Sequence, residues 1–167
     1  MQKGFTLIEL LIVIAIVVIL MTATLVALNP FRQIAQANNA NRMAGINAIL
    51  NAVSQRIAEN RGKFPPVGNE TPTNCPTTGD VLPTTETIIG SKTDEGQFDL
   101  AQYVVPDYIA QIPVDPQYGY YKSATDYDTG GTNKGYSIKC EDGRVTICAK
   151  GTQLIPGIVD QAFCVSR

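Results

Sequence analysis

Gly4-Phe5-Thr6-Leu7-Ile8-Glu9-Leu10-Leu11-Ile12-Val13-Ile14-Ala15-Ile16 is the stretch that decides this fold. Its apolar character continues to Leu28, and over residues 5–28 only Thr6, Glu9, Thr22 and Thr24 interrupt it. A helix of about 24 residues at ~1.5 Å per residue reaches roughly 36 Å, enough to cross a ~30 Å hydrocarbon core with some tilt. One carboxylate stands inside the run. An ionisable group at mid-bilayer costs roughly 2.5 to 3.5 kcal/mol, so a charge kept in such a place marks a functional position.

Three accounts of the run compete. A secretory signal has an apolar core of roughly 7 to 15 residues before a small-residue cleavage site. Met21-Thr22-Ala23 offers such a site, but this core is longer and holds a carboxylate. A plain single-span anchor tolerates Glu9 one turn from the interface, where the positive end of the helix dipole favours an anion. That account leaves Gly4-Phe5 without a purpose. In the third account the residues from Gly4 to Ile16 resemble the class III leader and N-terminal helix of type IV pilins and type II secretion pseudopilins. The likeness is dense over about a dozen positions, covers the first 30 residues, and reaches the rest of the chain in outline.

The resemblance implies a leader of residues 1–4, cleavage between Gly4 and Phe5 by a prepilin peptidase, N-methylation of Phe5, and an assembly role for Glu9. Elementary electrostatics agrees. Cleavage frees an α-ammonium in apolar surroundings, and a carboxylate within a few ångströms neutralises it. In a growing filament the ammonium of an incoming subunit would meet Glu9 of its neighbour. The implied layout is a filament-core and transmembrane helix over residues 5–30, an amphipathic helix over 31–62 and a globular head over 63–167. The fold class is then α+β: a long bent helix packed on a small antiparallel sheet, its C-terminal loop stapled by a disulfide. The implied partners are further copies of the chain in a helical homopolymer, the prepilin peptidase, an assembly ATPase and an inner-membrane platform protein. The expected function is that of a structural pilin, held in the cytoplasmic membrane before assembly and extracellular afterwards. Two alternatives stay open: a pseudopilin of a type II secretion system, and a membrane-anchored extracellular binding protein that never polymerises.

Composition narrows the function classes. The chain has 167 residues, 13 basic and 15 acidic, for a net charge of −2. Such a balance leaves no electrostatic footprint for nucleic acid. Lys3 and the initial amine mark the leader as cytoplasmic and send everything after Leu28 outward. With no histidine there is no Ser-His-Asp or Cys-His set, and no glycine-rich phosphate loop ends in lysine. The expectation is no enzyme and no cofactor.

Residues beyond the apolar run read as follows. Pro30 is expected to break or kink the helix between Ala27 and Phe31. Met43, Ile46, Ile49, Leu50, Val53 and Ile57 recur at helical spacing, with Arg42, Asn47, Asn51, Gln55, Arg56 and Glu59 filling the polar side. Residues 36–41, small and polar, suit a linker between membrane and head. Gly62, followed by Pro65-Pro66, ends the helix. Residues 65–94 read as a long irregular connection, in which Asn69-Glu70-Thr71 matches a glycosylation triplet by chance. Leu100, Tyr103 and Val104 suggest a short helical turn. Ile112-Pro113-Val114-Asp115-Pro116 resembles the proline–aspartate–proline turn that precedes the sheet in major pseudopilins and some pilins. Strands are expected at 118–122, 136–140 and 145–149, with Asp142-Gly143 as a two-residue hairpin.

The four cysteines, Cys75, Cys140, Cys148 and Cys164, lie on the outward side, where thiols oxidise. The absence of histidine and of a C-x-x-C pair disfavours zinc, and four cysteines allow three pairings. With Glu141 opposite Arg144, strand alternation turns Cys140 and Cys148 to opposite faces, so these two pair only across a bulge. Cys164 follows the loop at Pro156-Gly157 and is placed to be tied to a strand. The favoured set is Cys148–Cys164 with Cys75–Cys140. Asp126 and Asp128, in Asp126-Tyr127-Asp128-Thr129-Gly130-Gly131-Thr132-Asn133, are weak calcium candidates. Ser137 stands where an EF-hand needs its twelfth-position glutamate, and an ordinary turn is the stronger reading.

Overall fold

The helix that begins at Leu7 stops at Leu28 because Asn29 leaves the helical region, with φ 41° and ψ 74°. Asparagine is among the few non-glycine residues that visit this left-handed conformation readily. Pro30 then takes the first position of the next helix, where a missing N–H costs nothing. The break thus falls at Asn29, the residue before proline and inside the window expected from Ala27 to Phe31, and Pro30 opens the second helix.

The computed structural model describes residues 4–155, 159 and 161–167. The leader residues Met1 to Lys3 and the Pro156-Gly157 loop lie outside the described residues. The chain forms two units, Met1–Ala35 and Gln36–Arg167. The first holds α1 (Leu7–Leu28), and α2 (Pro30–Glu59) begins in the first unit and ends in the second. After α2 come β1 (Thr87–Ile88), a 3-10 turn at Thr93–Glu95, α3 (Ala101–Val104), β2 (Tyr120–Ser123), β3 (Asp126–Asp128), β4 (Tyr136–Glu141), β5 (Arg144–Ala149) and β6 (Phe163–Ser166). The class is α+β.

In the second unit, β1, β4, β5 and β6 form one antiparallel sheet in that order, and β2 pairs with β3 in a separate two-stranded ribbon. The β4–β5 hairpin turns on Asp142 (φ 51°) and Gly143 (φ 74°). Positive φ at both central residues is what a type I′ turn needs, and its twist matches that of the strands. The turn sets Glu141 opposite Arg144, Cys140 opposite Val145 and Ile138 opposite Ile147. One face of the hairpin, with Tyr136, Ile138, Cys140, Val145, Ile147 and Ala149, is buried in a single cluster with Ile46, Ile49, Leu50 and Val53 of α2 and with Leu100, Tyr103 and Val104 around α3. Gly45 permits this approach: a Cβ there would lie 2.9 Å from the Tyr136 hydroxyl oxygen.

Several expectations change. The polar residues 36–41 are not a free linker, because Asn39 is 4 % exposed and grips the loop at Gln153. Arg42 is fully buried, not on the solvent side of α2. Asp126 and Asp128 sit in a strand, β3, where a turn was expected. The irregular stretch 65–94 contributes β1, and the residues around Cys164 form a further strand, β6.

Candidate functional site

Thr6 precedes the first turn of α1 and caps it. Its hydroxyl accepts from the Glu9 N–H at 3.3 Å, while its own N–H and hydroxyl donate to Glu9 Oε2 at 2.9 and 2.8 Å. This capping box satisfies orphan donors at a helix start, and the pattern Thr-x-x-Glu is its sequence signature. Thr6-Leu7-Ile8-Glu9 carries that signature in the sequence. Both bonds from Thr6 converge on Oε2; Oε1 takes neither. Gly4 has no atom within 4 Å of the position a Cβ would occupy, and Phe5 is 84 % exposed, so the Gly4–Phe5 bond stands open.

Every described side chain of α1 is exposed, including the consecutive residues Leu10, Leu11, Ile12 and Val13, which at ~100° per residue point to different sides of the helix. A helix apolar all round requires an apolar surrounding, either lipid or other helices. Leu7–Thr24, 18 residues, is long and apolar enough to cross a membrane. Thr22 and Thr24 do not spoil this, since their hydroxyls donate back to the Val18 and Met21 carbonyls at 2.9 and 2.8 Å.

The head is organised around an ion pair that sequence reading missed. Arg42 Nε donates to Asp115 Oδ2 at 2.6 Å and Nη2 to Asp115 Oδ1 at 3.2 Å, with both side chains fully buried. Two further bonds add to the grip: Nη1 reaches Asn39 Oδ1 at 3.1 Å, and Nη2 reaches Gln117 Oε1 at 2.9 Å. Asp115 Oδ1 also accepts the Gln117 and Tyr118 N–H groups at 2.9 and 3.1 Å. The planar arginine fork suits this two-point grip. Asn39 extends the network by holding both the N–H and the carbonyl of Gln153, at 2.9 and 2.7 Å. Tyr136 packs nearby and donates to the Val114 carbonyl at 3.2 Å; burial pushes its phenol up to about 12, with the Asp115 charge adding and Arg42 opposing. The Asp115-Pro116 turn is thus clamped onto α2.

The cysteines join as Cys75–Cys140 and Cys148–Cys164. Asp126 pairs with Lys122 at 3.1 Å, and Asp128 Oδ1 accepts the Gly130 and Gly131 N–H groups at 2.8 and 2.6 Å. Among the described residues no group of three or more His, Cys, Asp or Glu side chains could hold a metal ion. The two aspartates serve a strand and the turn after it.

A family model described as the prokaryotic N-terminal methylation motif matches residues 1–25. No curated protein and no solved structure matches the chain. The matched residues contain Gly4, Phe5, Thr6 and Glu9, the same segment whose geometry is described above. The motif implies processing by a prepilin peptidase and assembly at a membrane, and its family is structural rather than enzymatic. The N-terminal apolar helix is consistent with membrane anchoring. This chain carries the prokaryotic N-terminal methylation motif, the class III signal of type IV pilins and pseudopilins, and is read as a precursor of that kind.

Proposed function

We propose that the chain is the structural subunit of a type IV pilus, cut after Gly4, methylated on Phe5, and polymerised through α1. The observation that carries this reading is the division of labour at Glu9. One oxygen, Oε2, caps its own helix through Thr6, while Oε1 takes no part in the cap. A neighbouring subunit's Phe5 ammonium would find there a carboxylate fixed in place and still able to accept. The all-round apolar surface of α1 supports bundling of such helices into a filament core, with the heads outside. A helical homopolymer of this kind would need an assembly ATPase and an inner-membrane platform protein.

Two measurements test the proposal. Mass spectrometry of the native protein should find N-methylphenylalanine at Phe5, and electron microscopy of surface material released by shear should find filaments containing this chain. Glu9→Leu should leave the protein membrane-inserted and abolish filaments, because losing one partner of a buried charge pair costs roughly 3 to 5 kcal/mol. An intact Met1 on the native protein, or normal filaments from the Glu9→Leu variant, would falsify the proposal. The Ile112-Pro113-Val114-Asp115-Pro116 segment, with Asp115 clamped by Arg42, favours a second reading as a type II secretion pseudopilin. Dependence of protein secretion, not of surface filaments, on the chain would select it.

A further inference from the structure

The two disulfides differ in access and in the charges that line the approach to them. Cys75 and Cys140 are 5 % and 0 % exposed and belong to the core cluster. Cys148 is half-buried and Cys164 exposed, on the face of the sheet turned away from that cluster, where they stand directly opposite each other on β5 and β6. β6 is an edge strand, paired on one side only. A groove of about 730 Å³ runs over this face and is lined by Cys148, Cys164, Lys139, Lys150, Thr146 and Glu86 among others. Its ammonium groups pair with Glu86 (Lys150, 3.1 Å) and Glu141 (Lys139, 2.6 Å), and all four side chains are at least 31 % exposed. Pairs this exposed hold weakly and release a lysine readily to a competing anion. A smaller groove of about 510 Å³ reaches Cys75 and Cys140 too, but its ionisable lining is Glu141 and Asp142 and contains no lysine to draw in a thiolate.

We propose that Cys148–Cys164 is a thiol-exchange site, open to a dithiol reductant, whereas Cys75–Cys140 is a closed structural cross-link. The inference does not depend on whether the chain polymerises. The attacking species is a thiolate, drawn into the groove by Lys139 and Lys150. It bonds to Sγ of Cys164, the exposed sulfur, and the S–S electron pair departs on Sγ of Cys148. The reductant's second thiol then attacks its own sulfur in the mixed disulfide and releases Cys164. The dithiol is oxidised to a disulfide, the protein disulfide is reduced to two thiols, and the reductant's two protons end on the two cysteines. β6 stays in register afterwards, because the Arg167 N–H and carbonyl bond to the Val145 carbonyl and N–H at 2.9 and 2.7 Å, and Arg167 Nη1 reaches Asn51 Oδ1 at 2.8 Å.

The experiment treats the full chain, in detergent and without denaturant, with dithiothreitol, quenches by alkylation at intervals, and maps labelled cysteines by mass spectrometry. Cys148 and Cys164 should label together, about tenfold or more faster than Cys75 and Cys140, since access governs the rate of exchange. Equal rates, a faster Cys75–Cys140 pair, or no labelling short of unfolding would each overturn the proposal. A second measurement isolates the groove. The double variant Lys139→Gln, Lys150→Gln should slow labelling by 2-mercaptoethanesulfonate severalfold while leaving 2-mercaptoethanol, which lacks the sulfonate charge, less affected. An unchanged ratio of the two reagents would remove the lysines from the mechanism.

Discussion

Glu9 and Asp115 are carboxylates with opposite commitments. Glu9 lies on a helix whose described side chains are all exposed, and its hydrogen bonds run to Thr6, three residues away. Asp115 is buried, and both of its oxygens are taken by Arg42, 73 residues distant in sequence, with two backbone N–H groups besides. The head therefore satisfies its own charge. The N-terminal helix satisfies its charge locally and leaves all of its described apolar side chains exposed. A chain divided in this way places its need for partners in the first unit and its individual stability in the second.

The sharpest way to break this contrast is at Arg42. Arg42→Ala leaves Asp115 charged and buried without its counter-ion, and should cost roughly 3 to 5 kcal/mol. Urea denaturation of the full chain in detergent, followed by tyrosine fluorescence, would measure it. The double change Arg42→Met, Asp115→Asn should recover much of the loss. An amide oxygen still accepts from the Gln117 and Tyr118 N–H groups, without a stranded charge. A wild-type midpoint for Arg42→Ala would show that the pair contributes nothing to the head.

Next in size is Gly45→Ala. The new methyl would meet the Tyr136 hydroxyl at 2.9 Å and two ring carbons at 3.2 Å, and Tyr136 is fully buried. Overpacking of this kind costs about 1 to 3 kcal/mol, against which alanine recovers ~0.8 to 1 kcal/mol of helix propensity. The net expectation is a loss, partly relieved by Tyr136→Phe, which removes the closest atom. A gain in stability from Gly45→Ala would mean that α2 does not approach β4 as closely as described.

These two positions also show where sequence reading stops. The apolar run, the hairpin at Asp142-Gly143 and the alternation that separates Cys140 from Cys148 are local signals, and each follows from residue type and period alone. Arg42 carried a misleading signal. It lies in phase with Ile46, Ile49 and Val53, on the buried line of α2, yet its charge argued for the solvent side. Only a partner arriving from residue 115 makes burial tolerable, and no local period encodes that arrival. Asn39 fails for the same reason, since its partner is the Gln153 backbone. β1 and β3 have two and three residues, too short for alternation to register, and the Asp-Gly-rich sequence around β3 has the composition of a turn. At the N-terminus both the apolar run and the Thr6–Glu9 cap are local signals, the cap through its three-residue spacing.

Titration separates the head's exposed edge from its interior. The hydrogen bond from the Ser137 hydroxyl, at 2.6 Å, holds the Glu86 carboxyl below the ordinary glutamate range, with Lys150 contributing and partial burial opposing. A lowered carboxylate pKa gives stability that is present above the ordinary value and lost as pH falls through the lowered one. Asp99 runs the other way. Burial raises it, against hydrogen bonds from Tyr127 and the Ala101 N–H, so its contribution is complete below the ordinary aspartate value and is lost as pH rises through the raised one. Ser137→Ala should flatten the acid limb of a stability profile and lower neutral-pH stability by on the order of 1 kcal/mol. Asp99→Asn should remove the loss that accompanies rising pH. Identical profiles for Ser137→Ala and the parent would show that Glu86 is held by something else.

The smallest effect is expected at Thr6, and it bears most directly on the contrast between the two carboxylates. Thr6→Ala removes the hydroxyl that both accepts from the Glu9 N–H and donates to Oε2, leaving only the backbone N–H of residue 6 to hold the carboxylate. Loss of an N-cap costs ~0.5 to 2 kcal/mol, and at an exposed helix end about 0.5 is expected. The urea midpoint of the head should not move, because the side-chain bonds of Thr6 and Glu9 join these two residues to each other at the start of α1. Amide exchange in detergent should quicken in the first turn of α1. Thr6→Ser, which keeps the hydroxyl, should restore slow exchange. If Glu9 serves a neighbour's amine and only incidentally its own helix, Thr6→Ala should slow filament assembly without stopping it, since the carboxylate survives but is less well held. Abolished assembly would instead assign the orientation of Glu9 to the cap as strictly as its charge is assigned to the partner.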